Sequence, residues 1–248
     1  MPTSTQLYTD LSGYYDLMCA DIDYRAQSNG VHRLHQLFGN GGHRHLDLAC
    51  GTGPHLRYFL DWGYRSDGLD IHQPMLNKAQ LRCPEAGFIL GDMGDFSVEQ
   101  PMDLITCFLY SVHYSQTLER LQACFASAHR ALTTGGTFCF NLVDKHRINN
   151  RLFVSHTATQ PDGEFTFRSG WHYAGHGEGQ SLKLRIQREA QGVEQVWEDE
   201  HAMVALGIEE CARLLATLFE VHIFEHDYSR IAPWDGQSGN ALFVCVKA

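Results

Sequence analysis

Residues 45–59, HLDLACGTGPHLRYF, decide the fold. The apolar run 45–50 predicts a β-strand, and a helix is predicted around His55–Trp62. Gly51 and Gly53 lie at the junction, where the missing Cβ lets the backbone approach a ligand closely. The start of the helix presents free N–H groups to the same ligand. The stretch therefore predicts a ligand-binding loop at the end of the first strand.

Outward from this loop, strand and helix patterns alternate. Apolar residues at helical spacing predict a helix over 28–38. Further strands are predicted at 66–71, 87–92, 102–109, 135–143, 220–228 and 240–248, with helices at 73–82, 117–132 and 208–219. Such alternation is typical of βαβ units. The predicted fold class is therefore α/β: a doubly wound, Rossmann-like sheet of seven strands, mostly parallel, with the last strand antiparallel.

The alternation breaks over residues 151–206. Three extended segments at 164–175, 180–190 and 193–206 are separated by glycine-rich turns, which predicts an antiparallel meander. We expect a single domain, 1–248, carrying this insertion as a β lid over the acceptor side or as a subunit contact. Five side chains of this insertion could face a cavity: Trp171, His172, Tyr173, Arg185 and His201. The alternative is that they belong to a plain solvated sheet face.

Composition excludes several classes of partner. The 248 residues carry a net charge of −10, and no cluster of Lys and Arg suggests a nucleic-acid partner. No apolar stretch reaches the length of a membrane span, and MPTSTQLYTD lacks the features of a signal peptide. The eight cysteines form no CxxC pair and are expected to be buried thiols of a cytoplasmic protein. His172 and His176 lack a third ligand, so no metal is expected.

The residues at successive strand ends indicate which ligand the loop binds. A dinucleotide fingerprint would place a third glycine where this chain has Leu56. Asp47 would repel a pyrophosphate but suits an amino-acid group with an adjacent sulfonium. Asp70 ends the second strand, where a carboxylate can accept bonds from both ribose hydroxyls. Asp92 and Met93 end the third strand and could flank an adenine.

The chain here resembles the class I S-adenosylmethionine-dependent methyltransferases. The matching motifs are LDLACGTG (46–53), GLDIHQPML (68–76), GDMGDF (91–96), DLITCFLYSVHY (103–114) and GGTFCFNLV (135–143). The resemblance implies that the cofactor is S-adenosylmethionine, with S-adenosylhomocysteine as product. The cofactor-binding residues expected are Tyr15, Asp47, Ala49, Cys50, Gly51, Gly53, Asp70, Ile71, Met75, Asp92, Met93 and Phe108.

Within that class the chain is most similar to the N-methyltransferases of nucleotide-linked amino sugars. The similarity rests on YYDLM (14–18), the antiparallel insertion and the ending ALFVCVKA (241–248). It implies that Tyr15 reaches the cofactor carboxylate. The chain departs from these relatives at Ile22, where they tend to have a basic residue, and at His113, where they commonly read SVGY.

The expected function is transfer of a methyl group to an amine or hydroxyl of a small soluble acceptor, and the amine is favoured. The protein could form a homodimer. His113 follows the fourth strand and could be a general base or a positioning group, or merely cap a helix. Tyr110 and Tyr114 could wall the acceptor site or cover a turn. The alternatives are a non-catalytic protein that binds the cofactor and, disfavoured by Leu56, a nicotinamide oxidoreductase.

Overall fold

The computed structural model describes residues 6–8 and 12–248. The α-helices are α1 (Tyr15–Met18), α2 (Tyr24–Phe38), α3 (Pro54–Asp61), α4 (Gln73–Arg82), α5 (Leu118–Ala131) and α6 (Ile208–Leu215). The strands are β1 (Arg44–Leu48), β2 (Arg65–Asp70), β3 (Gly87–Leu90), β4 (Met102–Cys107), β5 (Leu132–Val143), β6 (Val154–Gln160), β7 (Gly163–Tyr173), β8 (Gly179–Ala190), β9 (Val193–Val204), β10 (Glu220–Glu225) and β11 (Asn240–Val246). Short 3₁₀ turns lie at Gln6–Tyr8, Ser12–Tyr14, Ser111–Ser115 and Lys145–Arg147.

Seven strands form the main sheet in the order β10-β11-β5-β4-β1-β2-β3. Strands β5, β4, β1, β2 and β3 pair in parallel, whereas β11 pairs antiparallel with both of its neighbours. The predicted fold class is confirmed. The strand order reverses at β1, so the carboxyl ends of β1, β2 and β4 open a crevice at one edge of the sheet.

The inserted segment forms a second sheet, β6-β7-β8-β9, which is antiparallel throughout. It contains one strand more than the sequence predicted. The missed strand, β6, reads VSHTATQ at the edge of the sheet and is mostly exposed, so it lacks the apolar alternation of a half-buried strand. One face of this sheet packs Phe165 and Phe167 against Leu7 and Tyr15 of the N-terminal segment.

Helix α2 begins at Tyr24, four residues before the predicted start. Asp23 caps it, because its carboxylate accepts a hydrogen bond of 2.8 Å from the Ala26 N–H. The apolar face of the helix, with Val31 and Leu34, packs on the main sheet beside α3.

Two apolar layers enclose the main sheet. On the α5 and α6 side, stacked phenylalanines such as Phe140 and Phe243, with ring centroids 4.9 Å apart, fill the core. The eight cysteines, all within the described residues, are buried and free, as predicted. No helix in the described part of the chain is long and apolar enough to cross a membrane.

Candidate active site

A cavity of about 600 Å³ lies at the carboxyl ends of β1, β2 and β3. Its lining includes the following residues that the sequence predicted to bind cofactor: Tyr15, Ala49, Gly51, Asp70, Ile71, Met75, Asp92 and Met93. Tyr114, predicted on the acceptor side, lines the same cavity. Residues that sequence reasoning missed are Tyr8, Leu69, His72, Gly91, Ser111, Gln116, Arg120 and Ala202.

The glycine loop between β1 and α3 has the backbone shape that its sequence predicts. Gly51 and Gly53 have φ of 56° and 78°, in the region that favours glycine. A Cβ on Gly51 would lie 3.6 Å from the Met75 methyl and 3.8 Å from the Tyr15 ring, both in the cavity wall. A Cβ on Gly53 would instead press on Ala79 of α4, at 3.2 Å. Gly51 therefore opens the cavity, whereas Gly53 allows α4 to pack closely.

Tyr15 is held against the loop by its neighbour Asp16. The Asp16 carboxylate accepts a hydrogen bond of 2.6 Å from the Thr52 hydroxyl and pairs with Arg82 at 2.8 Å. Arg82 also donates to the Thr52 carbonyl oxygen. The YDLM motif thus joins α1 to the glycine loop through a charged pair that the sequence analysis did not identify.

Asp70 links the end of β2 to the glycine loop. Its carboxylate accepts one hydrogen bond of 2.9 Å from the Gly51 N–H and one of 2.8 Å from the His72 N–H. Burial raises the pKa of Asp70, and these backbone N–H groups oppose that rise. The carboxylate lies in the cavity wall, where its remaining lone pairs can accept further bonds.

Asp47 lies deeper, in β1. It is 1% exposed and accepts a hydrogen bond of 2.6 Å from the Thr106 hydroxyl on β4. Burial raises the pKa of Asp47 to about 7, although the bond from Thr106 lowers it. Its side chain is not part of the cavity lining, so contact with a cofactor remains a prediction.

Asp92 and Met93 line the cavity just after β3, the edge strand of the main sheet. Asp92 accepts a hydrogen bond of 2.8 Å from the Gly94 N–H and pairs with Arg120 of α5. Met93 is buried. This part of the cavity therefore combines a charged pair with an apolar side chain.

Two of the predicted cofactor residues support the loop from inside the core. Cys50 packs with Leu56 in the core cluster between α3 and α4. Phe108 stacks on the His55 ring, with centroids 3.7 Å apart. Neither side chain belongs to the cavity lining, so their cofactor contacts remain predictions.

His113 follows β4 as predicted, but its contacts differ from those of an acceptor-side group. The ring is fully buried, and its two nitrogens bond the backbone: Nδ1 donates to the Val204 carbonyl at 2.8 Å, while Nε2 accepts from the Val143 N–H at 3.2 Å. Burial lowers the pKa of His113 to about 4. With both nitrogens occupied, the ring has none left to take a proton from an acceptor or to orient it, so we correct its assignment from a base or positioning group to a link between β5 and β9.

Of the two tyrosines predicted beside His113, only Tyr114 lines the cavity. Tyr110 has φ of 61°, donates its backbone N–H to Asn141 and packs its ring on Trp171 and His226, away from the cavity lining. Tyr114 lines the cavity, and its hydroxyl bonds Tyr8 and His201.

The side chains of the insertion that were predicted to face a cavity also differ in where they lie. His201 reaches the wall of the cavity through Tyr114, and Trp171 packs on Tyr110 and His113. Arg185 pairs with Glu198 across the strands on the solvated face. Among the described residues, no group of His, Cys, Asp and Glu could hold a metal ion.

The cavity residues that the sequence analysis missed are of two kinds. His72 comes directly after Ile71 and Gly91 directly before Asp92, so adjacency to predicted cofactor residues was a usable signal for them. Tyr8 and Ala202 come from the N-terminal segment and from β9, which only the packing of the second sheet brings together.

Comparison with known proteins agrees with this geometry. Residues 46–136 match the sequence profile of a family described as a methyltransferase domain. A dTDP-3-amino-3,4,6-trideoxy-α-D-glucopyranose N,N-dimethyltransferase of Streptomyces venezuelae is 34% identical over 129 residues, 51% of this chain. A dTDP-4-amino-2,3,4,6-tetradeoxy-D-glucose N,N-dimethyltransferase of Saccharopolyspora spinosa is 36% identical over 91 residues, 37% of this chain. The chain spans 54% and 36% of the lengths of these two relatives.

Solved structures share the fold over nearly the whole chain. DesVI of Streptomyces venezuelae superposes with a TM-score of 0.82 at 24% identity, covering 97% of this chain and 99% of its own. An amino pentose methyltransferase of Micromonospora echinaspora, solved with S-adenosylmethionine bound, superposes with a TM-score of 0.80 at 19% identity. The match covers 96% of each chain. The resemblance to class I methyltransferases is confirmed for the fold, and the similarity to amino-sugar N-methyltransferases for the matched part of the sequence.

Proposed function

We propose that this chain, whose fold is that of class I methyltransferases, uses S-adenosylmethionine to methylate the amine of a nucleotide-linked amino sugar. One observation carries the proposal: the order of groups along the cavity. The open backbone at Gly51 follows β1 and lies beside Tyr15, Asp70 ends the neighbouring strand β2, and Asp92 with Met93 follows the next strand, β3.

The residues present fit the three parts of this cofactor. When bound, S-adenosylmethionine supplies a methyl group on a positively charged sulfur, which keeps the bonding electron pair when the methyl leaves. Gly51 leaves room for the amino-acid part, because a Cβ there would fill cavity space beside Met75 and Tyr15. Asp70 can accept bonds from both ribose hydroxyls. Asp92 and Met93 can bond and pack on the adenine.

The choice of acceptor comes from the relatives, which are named as N,N-dimethyltransferases of dTDP-linked amino sugars. The position of the second sheet supports a role for that sheet in enclosing the acceptor. Ala202 of β9 forms part of the cavity wall, so we assign segment 151–206 the role of a lid. A lid aligns the reactants and excludes water, which in-line methyl transfer needs more than acid–base power.

The proposal is tested by turnover. Purified protein is incubated with S-adenosylmethionine and either dTDP-3-amino-3,4,6-trideoxy-α-D-glucopyranose or dTDP-4-amino-2,3,4,6-tetradeoxy-D-glucose, and the sugar is analysed by mass spectrometry. We expect one or two added methyl groups on at least one of them. Binding of S-adenosylhomocysteine without methylation of either sugar would instead favour a non-catalytic binding protein. Tight binding of NADH alone would favour an oxidoreductase.

Replacing Gly51 with alanine tests the open backbone. The added methyl would meet Met75 and Tyr15 at ordinary van der Waals distance, 3.6 and 3.8 Å, but it would occupy cavity space that the ligand needs. S-adenosylhomocysteine should therefore bind about 5- to 150-fold more weakly, from an overpacking cost of about 1–3 kcal/mol. Isothermal calorimetry measures the affinity. Gly63→Ala is the matched control, because Gly63 also has positive φ, of 85°, but a Cβ there meets nothing within 4 Å. Equal losses in both variants would show that backbone strain, not the cavity, is responsible.

A further inference from the structure

A hydrogen-bonded chain runs from the second sheet into the cavity. His201 on β9 is 1% exposed; its Nε2 lies 3.1 Å from the Asp199 carboxylate and its Nδ1 lies 2.7 Å from the Tyr114 hydroxyl. The Tyr114 oxygen lies 2.6 Å from the Tyr8 oxygen. We call Asp199, His201, Tyr114 and Tyr8 the relay chain. Its two tyrosines line the cavity.

The direction of the hydrogen bonds follows from their chemistry. A carboxylate only accepts, so His201 Nε2 carries the hydrogen, and in the neutral ring Nδ1 is then an acceptor. Tyr114 therefore donates to His201, and Tyr8 donates to Tyr114. Each of these hydrogens is used within the relay chain, which leaves a lone pair of the Tyr8 oxygen available to a ligand.

The surroundings of His201 keep its ring neutral near pH 7. Four ionisable side chains surround it. Asp199 lies on its own strand and His72 follows β2. Tyr8 comes from the first 3₁₀ turn and Tyr114 from the turn after β4. Burial lowers the pKa of His201, and Asp199 opposes this effect. A neutral ring can take up a proton, and the Asp199 carboxylate would then stabilise the imidazolium.

We propose that the relay chain removes a proton from the ammonium group of the acceptor before methyl transfer, an inference that rests on the proposed function. The N–H bond breaks and its electron pair stays on nitrogen. The proton bonds to the Tyr8 oxygen as Tyr8 passes its own proton to Tyr114, and Tyr114 passes its proton to His201 Nδ1. No tyrosinate forms, because each hydroxyl gains a proton as it loses one.

The products of this step are a neutral, nucleophilic amine and an imidazolium paired with Asp199. When the methylated amine leaves, the proton returns along the same hydroxyls to water. Tyr8 touches the acceptor, whereas His201 and Asp199 act through the tyrosines as positioning residues. The relay chain takes the place of His113, whose nitrogens both bond backbone.

The first test is the pH profile of kcat/KM for His201→Asn with dTDP-3-amino-3,4,6-trideoxy-α-D-glucopyranose. At pH 7 we expect a loss of about 10-fold, because about one tenth of an amine with a pKa of about 8 is neutral there without the relay. The loss should shrink to within about twofold near pH 9.5, because solvent deprotonates nearly all of such an amine there. Tyr114→Phe should behave alike, and the double variant should lose little more, since the residues act as a unit.

His172→Asn is the control, a histidine of the same sheet outside the relay chain, and its profile should match the wild type. A loss in His201→Asn that is constant with pH would refute the relay and indicate a structural role. A wild-type protein that methylates no amine would refute the proposed function and the relay together.

The second test needs no turnover. In protein labelled with ¹⁵N-histidine, the resonances missing from His201→Asn identify His201. We expect a neutral ring with hydrogen on Nε2 at pH 7, and an Nδ1 shift that moves in Tyr114→Phe but not in His172→Asn. A His201 ring that carries hydrogen on Nδ1, or that ignores Tyr114→Phe, would refute the relay even if the enzyme is active.

Discussion

Asp70→Ala should bind S-adenosylhomocysteine about 10- to 100-fold more weakly than the wild type, the 1.5–3 kcal/mol typical of hydrogen bonds to a charged group. The variant loses the acceptor proposed for the ribose. It also leaves the N–H groups of Gly51 and His72 without their carboxylate partner, so the loop that shapes the cavity loosens. Isothermal calorimetry with S-adenosylhomocysteine measures the loss without depending on an acceptor.

Asp67→Ala is the matched control on the same strand. Asp67 also accepts a backbone hydrogen bond, of 3.0 Å from the Gly87 N–H, but it is not part of the cavity lining. Its affinity for S-adenosylhomocysteine should stay within about twofold of the wild type, the small effect of a change away from the site. If Asp70→Ala bound as tightly as Asp67→Ala, the placement of the ribose at the end of β2 would be wrong.

The sequence could predict the part of the site that local pattern determines. Gly51, Asp70 and Asp92 lie at strand ends, and parallel strands bring their carboxyl ends to one edge of the sheet. Knowing the order of strands and helices was therefore enough to place these residues in one cavity, and the structure does so.

The rest of the site depends on contacts between distant segments. Tyr8 meets Tyr114 across 106 positions of sequence, and Tyr114 meets His201 across 87. No periodicity specifies such a meeting, because it results from packing the second sheet on the N-terminal segment. His201 was identified only as one of several side chains that could face a cavity.

His113 shows the limit of reasoning from position. Its place after β4 was predicted correctly, but position does not reveal which hydrogen bonds a side chain makes. A buried imidazole must satisfy both nitrogens, and here the backbone of Val143 and Val204 satisfies them. The sequence therefore located the residue but could not tell an acid–base group from a structural link.

His113→Ala should accordingly lower the free energy of unfolding by about 3–6 kcal/mol. The variant leaves the Val143 N–H and the Val204 carbonyl buried without partners, at about 1–3 kcal/mol each, and opens a cavity besides. For a chain of this length the melting temperature should fall by about 6–24 °C. His176→Ala, which changes an exposed histidine in the turn between β7 and β8, should leave it unchanged within a degree or two.

The pH dependence of this loss identifies its origin. The folded pKa of His113, about 4, is lower than the value of about 6.5 for an unfolded chain, so below pH 6.5 the unfolded state binds the extra proton. Its contribution to stability is therefore lost as pH falls from 6.5 towards 4, by about 2 kcal/mol at pH 5. Since His113→Ala has no such group, the gap to wild type in urea unfolding should be about 2 kcal/mol smaller at pH 5 than at pH 7.5. An unchanged melting temperature combined with a kcat reduced about 100-fold or more, the effect of a lost general base, would return His113 to the reaction and contradict the structural assignment.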